Sequence, residues 1–549
     1  MVFRRSQFGA IGPRPRSDST VLMVEPTLGF RSDQPASDLQ PGETPYAQNF
    51  LMWDGGLEPR PCLSQQTTNP NPMGVPLTGG LEVISSVGSR YPLISGTTRF
   101  AYHDGTTWSV LSYVSSFGYT ATPSGSTMDY YDACQIYYPP ADDMLAVLAC
   151  QSYQTLFCWR SGSTLFSSLT GAPRARYVAP FDNFVVAFNV RDAASAQSKY
   201  VQRVQWSDRG APSNWTGGLS GFEDLLDAKG QGTRIFGQEQ RMVLFFEDEI
   251  WQAYRGTYPN IMQFAALDRT VGTPFSWTAV DTPVGIIFLG RDYMLYVLPK
   301  DGGTAQPIGG KIQQELRNTI DSPAYAWATY DPRTSCYQLY YPVVGSGSIP
   351  AKAMYYNIRS GSFAPQAFDQ SAGPHYLTRG FPAFHQTGTA GLTWDNLTTL
   401  GYTWNTIPGA WNDYNVISTL RNRVIFTGSS AGTMYRLDSN ATNDDGITVE
   451  AVWRSGGLGV DDPSKVKTLT EVRLDYNADV QSSATVWGSS DQGQTFDAGQ
   501  IVTLLPSSTM SEERADVYSQ ARYPMFEVRS SDHDFRLYRF WAKFRSGGR

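Results

Sequence analysis

Residues 203–217 read Arg-Val-Gln-Trp-Ser-Asp-Arg-Gly-Ala-Pro-Ser-Asn-Trp-Thr-Gly, with one tryptophan on each side of a compact turn. Val204 alternates with polar neighbours as on a half-buried strand, and the Ser, Asp, Gly and Pro residues that follow favour a turn. A buried indole removes about 150–250 Å² from water, so the tryptophans are predicted to pack a β-domain corner rather than to catalyse a reaction. The structural residues predicted in this stretch are Trp206, Ser207, Asp208, Gly210 and Trp215.

The composition of the chain favours many short strands joined by tight turns. Its 549 residues exceed one ordinary core, so about two to four domains, or a repeat array with attachments, are expected. Aromatic residues make up 13% of the chain and charged residues 17%, while glycine (51) and proline (34) are abundant. Aromatic side chains suit pleated surfaces, and glycine and proline set the backbone angles of turns.

The spacing of apolar segments predicts a repetitive β architecture. Between residues 80 and 447, strand candidates recur about every 8–15 residues and group into sets of about 45–55. Radial repetition protects sheet edges, so the pattern favours a β-propeller of about six or seven blades over its main rival, a stacked pair of β-sandwiches. Beyond residue 447, segments such as 447–453 and 536–544 alternate strictly, as in an antiparallel sandwich.

The predicted fold class is therefore all-β, with a β-propeller core, an N-terminal arm and a C-terminal antiparallel β-sandwich. The expected divisions are 1–80 for the arm and hairpin, 81–447 for the propeller-like repeat domain and 448–549 for the sandwich. Two helices are expected, at 311–318 and at 511–519 where acidic residues begin the segment.

The charge distribution limits the way in which this chain could meet nucleic acid. A net charge of −7 argues against a protein that grips nucleic acid over its whole surface, because such binding needs Lys and Arg to neutralise phosphates. Both ends are basic. The N-terminal residues predicted to dock onto an acidic partner surface, unless they are simply solvated, are Arg4, Arg5, Arg14 and Arg16.

Cysteine usage and hydropathy predict a soluble protein made in a cytosol. The five cysteines contain no CxxC pair, so reduced and mostly buried thiols are expected rather than disulfides or a zinc site. No apolar signal segment follows the N-terminus, and no apolar run approaches 18 residues, so neither a secretory signal nor a transmembrane segment is predicted.

One local motif resembles the Asp box of sialidase-like propellers. Residues 489–496 read Ser-Ser-Asp-Gln-Gly-Gln-Thr-Phe. In those families the motif is a hairpin turn whose carboxylate and hydroxyl groups bind nearby backbone amides, so its predicted role here is structural. The residues concerned are Ser489, Asp491, Gly493, Thr495 and Phe496.

No constellation of side chains predicts catalysis. A glycoside hydrolase needs two carboxylates that face one pocket, and no spacing singles out a pair among the candidates Asp142, Asp143, Glu247, Asp248 and Glu249. The histidines stand apart in sequence, without HExxH, and neither a nucleophile elbow nor a phosphate-binding loop is present. We therefore predict no enzyme, no catalytic or metal-binding residues and no cofactor.

An ordered series of weak motifs resembles the tail hub and nozzle proteins of short-tailed bacteriophages. The resemblance covers most of the chain, and it is the order of the motifs that carries it. The motifs are Gln48-Asn49, Asp54-Gly55-Gly56, Pro59-Arg60-Pro61, 203–215, 243–251, Phe264, Gly272-Thr273-Pro274, 288–292, 307–311 and 432–438.

This resemblance implies a structural virion protein whose propeller-containing subunits form a homohexameric ring. The ring would lie below the portal and head-to-tail adaptor, enclose the DNA-exit channel and anchor tail fibres or a needle. Genome DNA would pass through the lumen without sequence-specific binding, and an acidic wall would let it slide. Residues 1–65 would form an arm buried on assembly in the host cytoplasm.

Two other functions stay open from the sequence. One is a carbohydrate-binding or glycan-hydrolysing propeller used in host adsorption. The other is a minor tail protein of a long-tailed phage.

Overall fold

The computed structural model describes residues 19–53, 55–65, 74–104, 107–114, 122–191, 199–369, 376–384, 423–438, 441–459 and 464–546. Two compact units divide between Pro59 and Arg60 and again between Val449 and Glu450. The unit of residues 60–449 contains the repeated sheets, and the other unit combines both ends of the chain.

The first seven strands lie between residues 19 and 65 and are short. They are β1 (Ser19–Val24), β2 (Gly29–Phe30), β3 (Glu43–Thr44), β4 (Tyr46–Gln48), β5 (Phe50–Trp53), β6 (Gly56–Pro59) and β7 (Cys62–Gln65).

Strands of the repeated sheets follow in chain order. They are β8 (Leu77–Ile84), β9 (Arg90–Gly96), β10 (Phe100–His103), β11 (Trp108–Val110), β12 (Ser112–Tyr113), β13 (Tyr131–Tyr138), β14 (Asp143–Cys150), β15 (Phe157–Arg160), β16 (Leu165–Ser168), β17 (Arg174–Phe181), β18 (Phe184–Arg191), β19 (Lys199–Trp206), β20 (Gly221–Asp224), β21 (Gly232–Gly237), β22 (Met242–Phe246), β23 (Ile250–Arg255), β24 (Met262–Asp268), β25 (Val280–Thr282), β26 (Gly285–Leu289), β27 (Leu295–Pro299), β28 (Gln306–Pro307), β29 (Trp327–Asp331), β30 (Cys336–Tyr341), β31 (Lys352–Asn357), β32 (Phe363–Ala367), β33 (Leu377–Phe384), β34 (Arg423–Ser429) and β35 (Met434–Asp438).

The remaining strands belong to the second unit, and the helices are few and short. The strands are β36 (Ala451–Arg454), β37 (Lys467–Ala478), β38 (Ser482–Ser489), β39 (Gln500–Leu504), β40 (Ser507–Ala515), β41 (Ser519–Ala521), β42 (Met525–Ser530) and β43 (Phe535–Ser546). The helix α1 (Gln313–Thr319) accompanies short 3-10 turns at Ala36–Asp38, Pro139–Ala141, Ser276–Thr278, Gly310–Ile312 and Pro323–Tyr325.

Seven sheets of the larger unit follow one another round a closed cycle. Blades 1 to 6 are the antiparallel groups β8–β11, β13–β16, β17–β20, β21–β24, β25–β28 and β29–β32, with β12 added in parallel to β16. Blade 7 consists of β33, β34, β35 and β7. The first strands of neighbouring blades contact each other, β33 contacts β8, and β21 contacts the turn Ser276–Thr278 that leads into blade 5. This arrangement is a seven-bladed β-propeller.

The ring closes because the early strand β7 completes the last blade. Strand β7 pairs antiparallel with β35, and the Arg60 guanidinium donates to both carboxylate oxygens of Asp444 at 3.1 and 2.5 Å. Both side chains are fully buried, and Asp444 also accepts the Leu63 amide at 2.7 Å. Burial by itself would lower the pKa of Arg60. The adjacent Asp444 carboxylate has the opposite and larger effect, so the pKa of Arg60 lies above its ordinary value.

The middle strands are buried on both faces, which explains their continuous apolar sequences. Every residue of Met242–Phe246 and of Gly285–Leu289 is buried. Side chains from blades 4 and 5 form one core cluster, in which the Phe245 and Phe288 rings lie 5.0 Å apart. The blades approach closely at Gly232, where a Cβ atom would lie 2.2 Å from the Phe188 ring.

The second unit is a β-sandwich that contains strands from both ends of the chain. One sheet has the order β40-β37-β43-β6-β5, with β1 paired to β43 and β41 to β37, and the other has the order β39-β38-β42-β36-β4. Their facing sides meet where the Trp453 ring stacks on Phe540 at 5.0 Å and Phe526 packs edge-on against the same ring at 5.4 Å.

The structure divides the predicted N-terminal arm and hairpin of residues 1–80. Strands β1 and β4–β6 belong to the sandwich sheets, whereas β7 belongs to blade 7. The predicted 80/81 boundary therefore does not coincide with the division between the units, because these strands pair with residues hundreds of positions away.

The helix predicted at 311–318 forms, whereas the prediction of a helix at 511–519 is wrong. Residues 310–319 form a 3-10 turn and α1, close to the prediction. Residues 511–519 lie instead in β40, the loop after it and the start of β41, because Leu474 and its neighbours on β37 pair with this segment. Pairing with a long buried strand overrides the helical preference of the acidic run.

The cysteines are free, and four of the five are buried as predicted, with Cys158 half-buried. No helix within the described ranges is long and apolar enough to cross a membrane.

Replacing Asp444 with alanine should lower the free energy of unfolding of the propeller by about 3–5 kcal/mol, because it leaves the buried Arg60 charge without its partner. Urea unfolding followed by tryptophan fluorescence measures the loss. The double variant Arg60→Met/Asp444→Leu should recover most of it.

The exposed pair Arg291–Asp248, with side chains 61% and 47% exposed, is the matched control for this experiment. Arg291→Ala should change the free energy of unfolding by at most about 1 kcal/mol. An equally small loss in Asp444→Ala would show that the buried pair does not stabilise the closed ring.

Candidate functional site

The predicted tryptophan corner lies between β19 and β20 of blade 3. Trp206 ends β19, is 6% exposed and donates its indole N–H to the Leu219 carbonyl at 2.9 Å. Trp215 is 4% exposed and donates to the Pro212 carbonyl at 2.7 Å. Trp215 belongs to a core cluster that also contains Ile136 of blade 2. The corner therefore joins two neighbouring blades by packing.

Polar groups of the corner hold the loop rather than face a pocket. The Asp208 carboxylate accepts the amides of Arg209 and Leu219 at 2.9 and 3.0 Å, and the Ser207 hydroxyl accepts the Val185 amide at 3.1 Å. Gly210 has a φ of +69°, a left-handed backbone angle that a side chain would disfavour. These contacts are those of a turn.

The Asp-box segment forms the turn between β38 and β39 of the sandwich. Asp491 accepts the amides of Gln494 and Thr495 at 3.0 and 2.8 Å, and the Ser489 hydroxyl accepts the Gly493 amide at 2.8 Å. Hydrogen bonds from the Thr495 hydroxyl and backbone lower the pKa of the Asp491 carboxyl to about 2. The half-buried Phe496 ring lies beneath the Arg454 guanidinium, 4.7 Å away.

Packed side chains around Trp277 block the axis of the propeller. Trp277 of blade 5 is 1% exposed, and its ring lies 5.6 Å from Tyr130 of blade 2 and 5.7 Å from Tyr177 of blade 3. The guanidiniums of Arg234 in blade 4 and Arg379 in blade 7 lie 4.8 and 4.7 Å from the same indole. A residue that touches blades on opposite sides of the ring must lie at its centre.

Charges at the axis are partly compensated. Arg234 pairs with Asp132 at 2.7 Å, whereas Arg379 has no ion pair among the described residues. Burial and then the nearby Arg234 charge lower the pKa of Arg379 to about 9. A cavity of about 350 Å³ adjoins both arginines and is also lined by Tyr330 and Pro382.

The carboxylates considered for hydrolysis are dispersed and locally bound. Asp143 begins β14 of blade 2 and accepts the Ser161 hydroxyl at 2.5 Å, and Asp142 accepts the Tyr137 hydroxyl at 2.5 Å. In blade 4, Glu249 is buried and accepts the Trp251 indole N–H at 2.8 Å. The structure therefore does not bring the blade 2 and blade 4 candidates into one pair. Glu247 accepts a hydrogen bond from the Gln231 side-chain amide at 2.9 Å, and Asp248 pairs with Arg291.

The histidines do not form a cluster in the described part of the chain. His103 is buried against Trp108, with ring centres 5.0 Å apart, and burial lowers its pKa. His533 lies in the turn before β43, whereas His375 and His385 lie outside the described residues. Among the described residues, no group of three or more His, Cys, Asp or Glu side chains could hold a metal ion.

The sandwich exposes apolar side chains along two opposite edges. Strand β40 is the edge of one sheet and β39 is the edge of the other, and these two strands contact each other. At the opposite edges lie β5 and β1 in the first sheet and β4 in the second. The first edge exposes Ile501 (70%), Leu505 (53%), Met510 (56%) and Tyr518 (65%), and the second exposes Val21 (53%), Met23 (41%) and Tyr46 (40%). We call these the β39/β40 edge and the β1/β4 edge.

Apolar exposure is concentrated in this unit. Of the 21 large hydrophobic side chains exposed among the described residues, ten lie in the sandwich, which has less than a third of the chain. The β39/β40 edge is bordered by the ion pairs Arg473–Glu512 and Arg514–Asp516. Apolar residues with a charged border are the composition of a protein interface.

The structure describes basic residues near the C-terminal end of the sequence but not the four arginines near the N-terminal end. Arg4, Arg5, Arg14 and Arg16, the predicted docking residues, lie outside the described residues. Near the other end, Arg536 pairs with Glu58 at 2.6 Å and Arg539 with Glu25 at 3.3 Å, so both arginines are paired within the sandwich unit.

Sequence reasoning missed both the axis residues and the two sandwich edges. Arg379 and Trp277 meet only because distant blades converge, so no local pattern identifies them. A signal for the β39/β40 edge was present, since Ile501 and Val502 are consecutive apolar residues in a strand, where one of the two must face outward.

No protein-family model and no curated protein matches this chain. Solved structures to which it is similar include an exo-β-1,3-galactanase from Phanerochaete chrysosporium with bound galactotriose, at 8% identity, 88% coverage of this chain, 98% of that chain and a TM-score of 0.27. The same enzyme with galactose gives 9% identity, 85% and 96% coverage and a TM-score of 0.22.

A third similar structure is the extracellular domain of a hybrid two-component system from B. thetaiotaomicron, at 7% identity, 88% and 62% coverage and a TM-score of 0.40. All three TM-scores are below 0.5, so these similarities indicate no function for this chain.

Trp215→Ala should lower the free energy of unfolding by about 3–5 kcal/mol, because it removes a buried ring from the core between blades 2 and 3. Leu226→Ala is the control, since Leu226 lies on the same blade and is 78% exposed, and it should change stability by no more than about 0.5 kcal/mol. Equal, small losses in urea unfolding would contradict the packing role.

Asp491→Ala should speed amide hydrogen exchange in residues 489–497, because it removes the acceptor for two backbone amides. The lowered pKa means that this stabilisation is complete above the ordinary pKa of about 3.9 and is lost as the pH falls through about 2. Exchange mass spectrometry should therefore find the wild-type turn equally protected at pH 7 and pH 4. Asp497→Ala is the control, and the same exchange in both variants would exclude the role of Asp491.

Proposed function

We propose that this chain is a structural subunit of a bacteriophage tail, a hub or nozzle protein of a short-tailed virion. Copies form a ring, a homohexamer by the resemblance, which encloses the DNA-exit channel below the portal and adaptor and anchors fibres or a needle. Arg4, Arg5, Arg14 and Arg16 dock onto an acidic surface of the adjoining tail component. The protein is assembled in the host cytoplasm and acts in the virion.

The observation that carries this proposal is the pair of apolar edges on opposite sides of the sandwich. A ring needs a heterologous contact, in which one surface of a subunit meets a different surface of the next. The β39/β40 edge and the β1/β4 edge are two such surfaces. Each consists of outer strands with which a strand of another copy could pair. In the ring, the β39/β40 edge of one copy meets the β1/β4 edge of its neighbour.

The blocked axis of the propeller supports a lumen formed between subunits. Trp277 and its neighbours occupy the centre of the propeller, so DNA cannot follow the axis of a single propeller. A conduit for the genome therefore has to be enclosed by several copies. The net charge of −7 favours a wall along which DNA slides instead of binding.

Ring formation is tested by native mass spectrometry and negative-stain imaging of the purified chain. The wild type should form a closed ring. The double variant Ile501→Arg/Met510→Arg should remain monomeric, because it places two charges in the apolar contact. The propeller variant Leu226→Arg, with a side chain 78% exposed in the wild type, is the control and should still form rings.

Three outcomes would contradict the proposal. A wild type that stays monomeric at high concentration, or an edge variant that assembles like the wild type, would exclude this ring contact. Hydrolysis of host-surface glycans by the monomer would instead support the alternative function, a glycan-hydrolysing propeller used in adsorption.

A further inference from the structure

A cavity of about 610 Å³ opens on the propeller where blades 2 and 3 begin. None of its lining residues is among the axis residues or the sandwich-edge residues described above. Its lining includes Thr122, Ser124, Asp129, Tyr153, Arg174 and Arg191.

Two arginines line this cavity, and two further cationic side chains lie close to Tyr153 in its wall. Arg174 at the start of β17 is directly opposite Arg191 at the end of β18. Arg176, two residues along the same strand, places its guanidinium 4.7 Å from the centre of the Tyr153 ring, and the Lys199 ammonium lies 5.9 Å from that ring. This concentration of positive charge occurs in a chain whose net charge is −7.

Within the described part of the chain, none of the three arginines forms an ion pair. The Nε atoms of Arg176 and Arg191 are buried and have no hydrogen-bond acceptor. The cavity lining contains one carboxylate, Asp129, which accepts the amide and hydroxyl of Ser126 at 2.7 and 3.1 Å. Like charges opposite each other in a sheet and buried donors without acceptors both destabilise a fold, so this arrangement calls for an anion.

The backbone around the ring is held in an unusual conformation. Tyr153 and Asn189 have φ values of +58° and +57°, in the left-handed region, and the pairing of β18 with β19 is interrupted between Phe188 and Val190. The Tyr153 hydroxyl donates to the Asn189 side chain at 2.5 Å, and Asn189 in turn donates to the Gly232 carbonyl at 2.7 Å. Strained residues persist where neighbouring contacts fix them, and they are frequent at ligand sites.

We propose that this cavity binds the phosphate or sulfate ester of a saccharide. Guanidinium groups match the oxygens of tetrahedral oxyanions. The two lining arginines, with Arg176 and Lys199 beside Tyr153, suit a group with two negative charges better than a single carboxylate. Hydroxyl and amide groups on the rest of the lining can bind the sugar, and they are supplied by Thr122, Ser124, Ser152, Gln154 and Thr155. This site does not depend on the proposed tail function.

The first experiment compares probes by isothermal titration and thermal unfolding of the full chain. Glucose 6-phosphate and glucose 6-sulfate should bind and raise the Tm, and added salt should weaken both. Inorganic phosphate should bind more weakly because it lacks the sugar, and glucose should not bind. A short DNA duplex that bound more tightly than glucose 6-phosphate would overturn the proposal in favour of a nucleic-acid site.

The second experiment uses Arg191→Gln and Arg174→Gln. Each should weaken glucose 6-phosphate binding at least about tenfold, because one charged hydrogen-bond donor is lost. Without ligand, each variant should have a Tm equal to or above that of the wild type, because repulsion between the opposed arginines is removed. An arginine with a purely structural role would give the reverse, a lower Tm and unchanged binding.

Arg160→Gln is the matched control, since Arg160 is exposed at the far end of β15 from the cavity-lining Phe157. It should bind glucose 6-phosphate as the wild type does. If Arg191→Gln fails to fold, Lys199→Gln supplies the decisive measurement, with a fewfold loss expected, since Lys199 is exposed and lies beside the Tyr153 ring. Absence of wild-type binding to both esters, or undiminished binding in Arg174→Gln and Lys199→Gln, would overturn the proposal.

Discussion

Closure of the propeller by β7 is the constraint on which the rest of the larger unit depends. Blade 7 has three strands from the end of the repeat region and takes its fourth from residues 62–65. The buried Arg60–Asp444 pair and the Asp444 contact to the Leu63 amide hold that strand in register. Each blade of the closed ring then packs between two neighbouring blades. Because each sheet is covered on both faces, middle strands such as Met242–Phe246 are apolar throughout.

The closed ring of blades also determines where charged side chains come together. At the axis, first strands converge and Trp277 is enclosed by side chains from four other blades. Between blades 2 and 3, the opposed Arg174 and Arg191 remain beside an open cavity without a carboxylate partner among the described residues. The sandwich differs, since its facing sides are apolar and its outer strands leave apolar edges. The two proposals, ring assembly and anion binding, therefore involve different residues of the chain.

Local turn chemistry was the most predictable part of the fold. The residues around Trp206 and those around Asp491 form turns whose hydrogen bonds join groups close together in sequence, so composition and spacing are sufficient evidence. The repeated strand pattern likewise predicted an all-β propeller of about six or seven blades. The helix expected at 511–519 was wrong because its neighbour on β37 is distant in sequence, and a local acidic run carries no information about that pairing.

The strand content, the turns and the repetitive architecture could be predicted from the amino-acid sequence alone, because each depends on residues within about one repeat. The tertiary fold shows three features that no sequence pattern indicated: residues 19–59 join the C-terminal sandwich, β7 closes blade 7, and Arg176 and Lys199 lie beside Tyr153. The physical reason is that these features bring together side chains separated by tens to hundreds of residues. Their meeting depends on how sheets stack and close, which the alternation of apolar and polar residues along one strand does not encode.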